Sequence, residues 1–352
     1  MALKIAQVGP LWESIPPAKY GGTERIVYYL TEGLTKKGHD VTLFAAGTCQ
    51  TSAKLVSVYP RPLFRDGIPW WNVMYPLLNI TAAFDAQKKF DIIHVHLNQG
   101  SDFLALPLAK QIKQKVFFTL HFPYEFNYTW KGNTEVFQKY KDLQYISISN
   151  SQRKGGENLN WIKTIYNGVD IDLYKFNETP EDYFLWLGKF NPDKGPREAI
   201  LAAKKAGVKL LLAGTVDTLE SDDYRYYKQE VAPLFDDKNI IFLGEKNDVE
   251  KNQLYREALG LLNPIQWNEP FGLVMAEAMA AGTPVISYRQ GAAPEIITDG
   301  SDGFLVDSLD QMVEKIKQID KIDRRQCRQT IEQKFSTTRM VDNYEQLFKN
   351  IG

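Results

Sequence analysis

The sequence predicts an α/β protein made of two doubly wound units, each a parallel sheet flanked by helices. Three observations carry that expectation. Short β-rich runs alternate with amphipathic helical stretches along the 352 residues. Several strand candidates are almost continuously apolar, as in Lys209-Leu210-Leu211-Leu212-Ala213, which suits parallel strands covered on both faces. The same alternation also restarts after a polar stretch near the middle of the chain.

In the first half the strand candidates are 4–8, 41–45, 91–96, 116–120 and 145–149, with helical patterns over 23–37, 72–88 and 101–113. In the second half they are 183–187, 208–213, 240–243, 259–263 and 284–288, with helices over 196–205, 222–235, 249–257 and 272–281. The join is expected at Asn167-Gly168-Val169-Asp170, where Asn-Gly signals a turn, followed by the polar run 177–182. The expected domains are therefore 1–166 and 167–335. The tail, 336–352, reads as a further helix that returns to the first domain. Ligands of open α/β sheets bind at the carboxyl ends of strands, so a cleft between two such domains is the default site.

Composition narrows the function classes. Hydrophobic residues make up 44% and charged residues 24%, an ordinary globular balance. Cys49 and Cys327 are far apart with no metal-type spacing, so they read as free thiols of a reducing compartment. The start reads as a first strand, not a signal peptide, and no window approaches the length of a membrane span. A cytoplasmic location is expected. Residues 1–166 hold 19 Lys and Arg against 12 Asp and Glu, whereas 167–352 hold 23 against 31. The basic half could attract an anionic acceptor or the inner face of a membrane, or simply its own acidic partner half. No basic stripe or RNP-type motif supports nucleic-acid binding, and no Gly-x-Ser-x-Gly hydrolase elbow occurs.

The most informative stretch runs from Trp267 to Pro284. Pro270 and Gly272 mark a helix entry, and Gly282 followed by Pro284 marks its end. Between Pro270 and Tyr288 the only charged residue is Glu277, in a run that reads as a buried helix and then a buried strand. A lone carboxylate there is costly unless something hydrogen-bonds it. The free N–H groups of a helix start attract anions such as phosphate. An anionic ligand at the helix start, with hydroxyls near Glu269 and Glu277, is the implied chemistry.

Other motifs sit at predicted strand ends. Tyr20-Gly21-Gly22-Thr23-Glu24 opens the first long helix, and its glycines could face a phosphate or form a plain turn. Lys189 and Lys194, in Gly188-Lys189-Phe190-Asn191-Pro192-Asp193-Lys194-Gly195, could reach a diphosphate as point charges or be solvated turn lysines. His121 closes a strand. His94 and His96 share one strand face, but no third ligand with metal spacing is visible. Asp170-Ile171-Asp172 has the Asp-x-Asp form of some metal sites, yet its place after an Asn-Gly turn favours turn and capping roles. Two aromatic clusters, 69–75 and 122–130, would line an acceptor pocket by stacking on sugars or anchor loops on a core.

Taken together, Glu269-Pro270-Phe271-Gly272-Leu273-Val274-Met275-Ala276-Glu277, the Gly21-Gly22 loop, the 91–96 strand, His121, Asn167-Gly168 and the Lys189…Lys194 loop resemble the retaining glycosyltransferases of family 4. The resemblance covers nearly the whole chain and implies the GT-B fold, with two Rossmann-like domains. It implies a hexose moved from a nucleoside diphosphate sugar, UDP- or GDP-linked, to a glycan, lipid-linked or small-molecule acceptor. Neither cofactor nor metal is implied. The implied roles are particular. Glu277 would bind ribose hydroxyls. Glu269 would face the transferred sugar, with His121 lining the sugar pocket. Gly272, Leu273 and Val274, next to Phe271, would hold the sugar and distal phosphate through backbone N–H groups. Lys189 and Lys194 would neutralise the diphosphate that Gly21 and Gly22 approach. Lysine at 189, where the family commonly has arginine, supplies charge without a bidentate fork. A phosphorylase, an epimerase or a non-catalytic nucleotide-sugar-binding protein are the alternative readings.

Overall fold

The computed structural model describes residues 2–18, 21–125, 132–217 and 221–351. It divides into two compact units, Met1–Gly168 with Thr337–Gly352 and Val169–Ser336.

Unit 1 is built on seven parallel strands: β1 (Lys4–Val8), β2 (Asp40–Phe44), β3 (Lys54–Val56), β4 (Ile92–Leu97), β5 (Lys115–Leu120), β6 (Gln144–Ser147) and β7 (Trp161–Thr164). Their order is β3-β2-β1-β4-β5-β6-β7. The direction of winding therefore reverses between β1 and β4, which are paired in register from Ile5 with Ile92 to Val8 with Val95. All six residues of β4 are buried, as a strand covered on both faces requires.

The helix Thr337–Ile351 belongs to unit 1 and lies against the helix Gly22–Lys36. Its inner face places Tyr344 and Phe348 beside the His94 ring. Tyr344 OH lies 3.0 Å from Thr119 Oγ1, which in turn lies 2.8 Å from His94 Nε2. At the helix edge Lys37 pairs with Asp342 and Glu345.

Unit 2 repeats the plan with β8 (Phe184–Leu187), β9 (Leu210–Ala213), β10 (Ile240–Phe242), β11 (Gly260–Asn263), β12 (Val285–Tyr288) and β13 (Gly303–Val306), all parallel. The order is β10-β9-β8-β11-β12-β13, with its reversal between β8 and β11.

The helix Arg324–Lys334 ties this unit together through two of its arginines. Arg324, 8% exposed, donates to the carbonyls of Asn177, Arg256 and Ala258 and to Thr283 Oγ1. Burial lowers its pKa to about 10, so the guanidinium stays charged at neutral pH. Arg328 donates in the same way to the carbonyls of Tyr174 and Ala280. Arg324→Met should fill the stem volume but strip these buried acceptors of their donor. A loss on the order of 3 kcal/mol is expected, read as an earlier chemical-unfolding transition of unit 2.

Differences from the sequence reading lie mostly at edges. The edge strands β3 and β7, and β13 with the helices Leu309–Ile316 and Arg324–Lys334, were not anticipated. The expected helix over 222–235 is an α-helical turn, Asp222–Tyr226, then a π-helical one and a short 3-10 segment containing Pro233. Proline has no N–H to continue the ladder. The stretch over 101–113 shortens to a 3-10 turn and the helix Ala105–Ala109.

Candidate active site

The reversal point of unit 2 gathers most of the residues expected to bind a donor. The loop after β8 carries Lys189 and Lys194, and the loop after β11 carries Trp267, Glu269 and the entry to the helix Leu273–Ala280. Lys194 is placed by its own turn: its N–H donates to Asn191 Oδ1 at 3.1 Å, and its carbonyl accepts from Trp186 Nε1 at 3.1 Å. The two loops are stitched by Gln266 N–H donating to the Asp193 carbonyl at 2.7 Å.

Glu269 and Lys194 meet directly. Lys194 Nζ donates to Glu269 Oε2, and Trp267 Nε1 donates to the same oxygen at 2.9 Å. The lysine ammonium also lies 4.9 Å from the Trp267 ring centre, within cation–π range. The side chains are 24% and 14% exposed, so the pair is sheltered yet reachable. The Glu269 backbone is fixed by Ala292 N–H donating to its carbonyl at 2.9 Å.

The helix start is open. Gly272 is the N-cap, with φ 90°, a left-handed conformation that glycine adopts without penalty. No side chain caps this end, and the first recorded return bond is Met275 N–H to the Gly272 carbonyl. Among the described residues the N–H groups of Leu273 and Val274 have no recorded acceptor. This is the geometry of an anion seat. Phe271 is different: its side chain is 1% exposed and edge-on to Phe335, so it packs the core, and only its backbone borders the helix entry.

Glu277, one turn into the helix, is 5% exposed. Its Oε2 accepts from Tyr255 OH at 3.0 Å, and Tyr255 is fully buried on the helix Asp248–Glu257. A hydrogen bond to a charged group contributes about 1.5–3 kcal/mol, so this contact offsets part of the burial cost. Oε1 has no recorded partner among the described residues.

Lys189 forms ion pairs with Asp223 at 2.7 Å and Asp217 at 3.0 Å. Burial works against its charge, but the two carboxylates outweigh burial and hold its pKa above the ordinary lysine value. A diphosphate would have to compete with both. The segment 244–247 follows β10; there Asn247 and Glu250 cap the next helix reciprocally, and Lys246 pairs with Glu250 at 3.1 Å.

In unit 1 the reversal point between β1 and β4 opens into a small cavity lined by residues including Gly9, Asn79, His96 and Asp102. Gly21 caps the helix Gly22–Lys36 with φ 147°, and a Cβ there would press on Pro17 at 2.7 Å. Tyr20 lies outside the described residues. Glu24, one turn on, is buried, and burial pushes its pKa up to about 7 against the pull of its own backbone N–H. Thr23 Oγ1 donates to Asn98 Oδ1 at 2.7 Å, joining this turn to the loop after β4. His121 follows β5; its Nε2 lies 3.0 Å from His96 Nδ1, and burial lowers its pKa to about 3.

The remaining motifs resolve into local structure. Asp170 Oδ1 accepts from Asp172 N–H at 3.0 Å, a turn bond. The His94 and His96 rings lie 4.2 Å apart, tilted to each other, and bond to different partners. No group of three or more His, Cys, Asp or Glu able to hold a metal occurs among the described residues. Trp70 and Trp71 are 49% and 67% exposed, whereas Phe122 and Tyr124 are core residues, and 126–130 of that cluster lie outside the described residues. No helix among the described residues is long and apolar enough to cross a membrane.

Sequence reasoning missed Tyr255, the Trp267 contact, and Asp217 and Asp223. Only the need of buried Glu277 for a donor pointed toward a partner, and nothing in the sequence said which one.

Two parallel Rossmann-like sheets with these strand orders define a GT-B glycosyltransferase fold, and known proteins agree. Sucrose-phosphate synthase from Thermosynechococcus elongatus superposes with a TM-score of 0.79 at 19% identity over 99% of each chain. Anabaena HepE in complex with UDP-glucose does so with a TM-score of 0.71 at 19% identity, over 99% of this chain and 100% of that one. The N-acetyl-alpha-D-glucosaminyl L-malate synthase of Bacillus anthracis is 24% identical over 94% of both chains. Family models match end to end, Glycosyltransferase Family 4 over residues 20–173 and Glycosyl transferases group 1 over residues 173–335. The chain belongs to the family 4 glycosyltransferases.

Proposed function

We propose that this glycosyltransferase moves a hexose, with retention of anomeric configuration, from a nucleoside diphosphate sugar to an acceptor hydroxyl. The observation that carries the proposal is the cluster at the unit 2 reversal point: an open helix start, the Lys194–Glu269 pair beside it and Glu277 one turn further in. The Leu273 and Val274 N–H groups take the distal phosphate. Lys194 supplies the cation, because Lys189 already faces two carboxylates. Charge develops on the leaving diphosphate as the glycosidic bond breaks, and fixed donors stabilise it without reorganising. Glu269 faces the sugar, where its charge favours positive character at the anomeric carbon, and Glu277 holds the ribose.

Retention rests on the family. Front-face displacement is the step we assign, with the Glu269 carboxylate stabilising positive charge without bonding to the anomeric carbon, and a trapped covalent glycosyl-enzyme would refute it. No metal enters this scheme, so a chelator should leave the rate unchanged. UDP-glucose is the first donor to try, because the HepE structure holds it. The exposed Trp70 and Trp71 are the side chains we assign to stack on a sugar-containing or lipid-linked acceptor.

The test is a panel of UDP-, GDP- and ADP-sugars with candidate acceptors, reading release of nucleoside diphosphate. One donor should release it at a rate that depends on acceptor. Turnover that needs inorganic phosphate, or conversion of the sugar without release, would point to a phosphorylase or an epimerase. No binding and no release with any donor would contradict the assignment.

A further inference from the structure

A polar chain crosses the core of unit 1 and ends on His121. Gln7 on β1 lies with its Oε1 2.9 Å from His96 Nε2 on β4, and His96 Nδ1 lies 3.0 Å from His121 Nε2. His96 is 1% exposed, and its ring stacks on that of His121 at 5.2 Å. Burial lowers the pKa of both rings, His96 with help from the neighbouring imidazoles, so both are neutral at neutral pH.

The direction of each bond follows from counting hydrogens. A carbonyl oxygen only accepts, so His96 Nε2 carries its hydrogen toward Gln7. A neutral imidazole has one N–H, so His96 Nδ1 is an acceptor, and His121 Nε2 must donate to it. His121, also neutral, then has a bare Nδ1, for which no partner is recorded among the described residues.

The next pair of residues fits the same direction. Gln7 Nε2 and His94 Nδ1 are both buried without a partner, and the two residues sit opposite each other in the β1–β4 register. A hydrogen given by His94 Nε2 to Thr119 Oγ1 leaves Nδ1 an acceptor, the role complementary to the Gln7 amide donor on the neighbouring strand.

We propose that His96 is a positioning residue that fixes His121 as the Nε2–H tautomer, leaving Nδ1 to accept a hydrogen bond from a hydroxyl of the bound sugar. The tautomer stands on the Gln7–His96–His121 hydrogen bonds together with the neutrality of both rings; the hydroxyl contact rests on the transferase reading above. A bare Nδ1 recognises a hydroxyl and disfavours a phosphate oxygen, so it assigns His121 to the sugar and not to the diphosphate.

The test uses the full chain labelled with ¹⁵N-histidine, whose four histidines are assigned by single substitution. Wild type should show His121 protonated at Nε2 and bare at Nδ1; a protonated Nδ1 would overturn the proposal. His96→Leu removes the acceptor and should give His121 a mixture of tautomers. Turnover should then fall roughly 10–100-fold, as for other residues that orient a ligating histidine, with nucleotide affinity unchanged. His96→Asn, whose Oδ1 can take the place of Nδ1, should restore the wild-type spectrum and most of the rate. A folded His96→Leu with wild-type spectrum and rate, or a folded His96→Asn with neither, would sink the proposal. The spectra need no donor, so a failed donor panel and a wrong tautomer are separate outcomes.

Discussion

Glu269→Gln should lower turnover by roughly 100- to 1000-fold, the range seen when one fixed electrostatic contact to a transition state is removed, while affinity for the nucleoside diphosphate stays nearly unchanged. Glutamine keeps the size of the side chain and one carbonyl oxygen, so the Trp267 contact survives. What disappears is the counter-ion of Lys194 and, on the proposed role, the charge at the anomeric centre. An unpaired Lys194 should bind the departing diphosphate at least as well as before. Steady-state rates and calorimetric titration of the same variant separate the two effects, and equal losses in both would contradict the role assigned to Glu269.

Glu277→Ala should show the opposite pattern, losing nucleotide affinity first. Its carboxylate lies one turn inside the helix, away from the Lys194–Glu269 pair, with Oε2 held by Tyr255. Loss of a hydrogen bond to a charged group costs about 1.5–3 kcal/mol, which corresponds to about 10- to 150-fold in dissociation constant. The substitution also leaves the Tyr255 hydroxyl without this partner in the core, so unfolding should come earlier. Glu277→Gln keeps an acceptor for Tyr255 and separates the two costs. Unchanged donor affinity and turnover in Glu277→Ala would show that the ribose is held elsewhere.

The fold was legible because buried parallel strands are written as largely apolar runs, of which β9 is the clearest. The edge strands were not. In β3 the burial pattern is exposed, half-buried, exposed, and all four residues of β7 are half-buried, so neither carries an apolar signature. The signature helix could be read from its punctuation, glycine at the entry and Gly-x-Pro at the exit. Its lone carboxylate announced that a partner was needed.

The partner itself could not be read. Tyr255 lies 22 residues away on another helix, and the packing of the two helices on each other brings them together. Lys189 shows the converse: its loop position suggested a phosphate, whereas Asp217 and Asp223, which follow β9, already balance its charge. The histidines divide likewise. Alternation on β4 put His94 and His96 on one face, but only the registers to β1 and β5 decide that one meets Thr119 and the other His121.

The central claim is that the two carboxylates of this segment address different parts of one donor. The most direct measurement is a calorimetric cycle with uridine diphosphate and its 2′,3′-dideoxy analogue, or the guanosine pair if the donor panel selects that base, on wild type, Glu277→Ala and Glu269→Gln. Wild type and Glu269→Gln should both bind the dideoxy form more weakly, and Glu277→Ala should bind the two forms equally. Discrimination that persists in Glu277→Ala, or vanishes in Glu269→Gln, would contradict the claim.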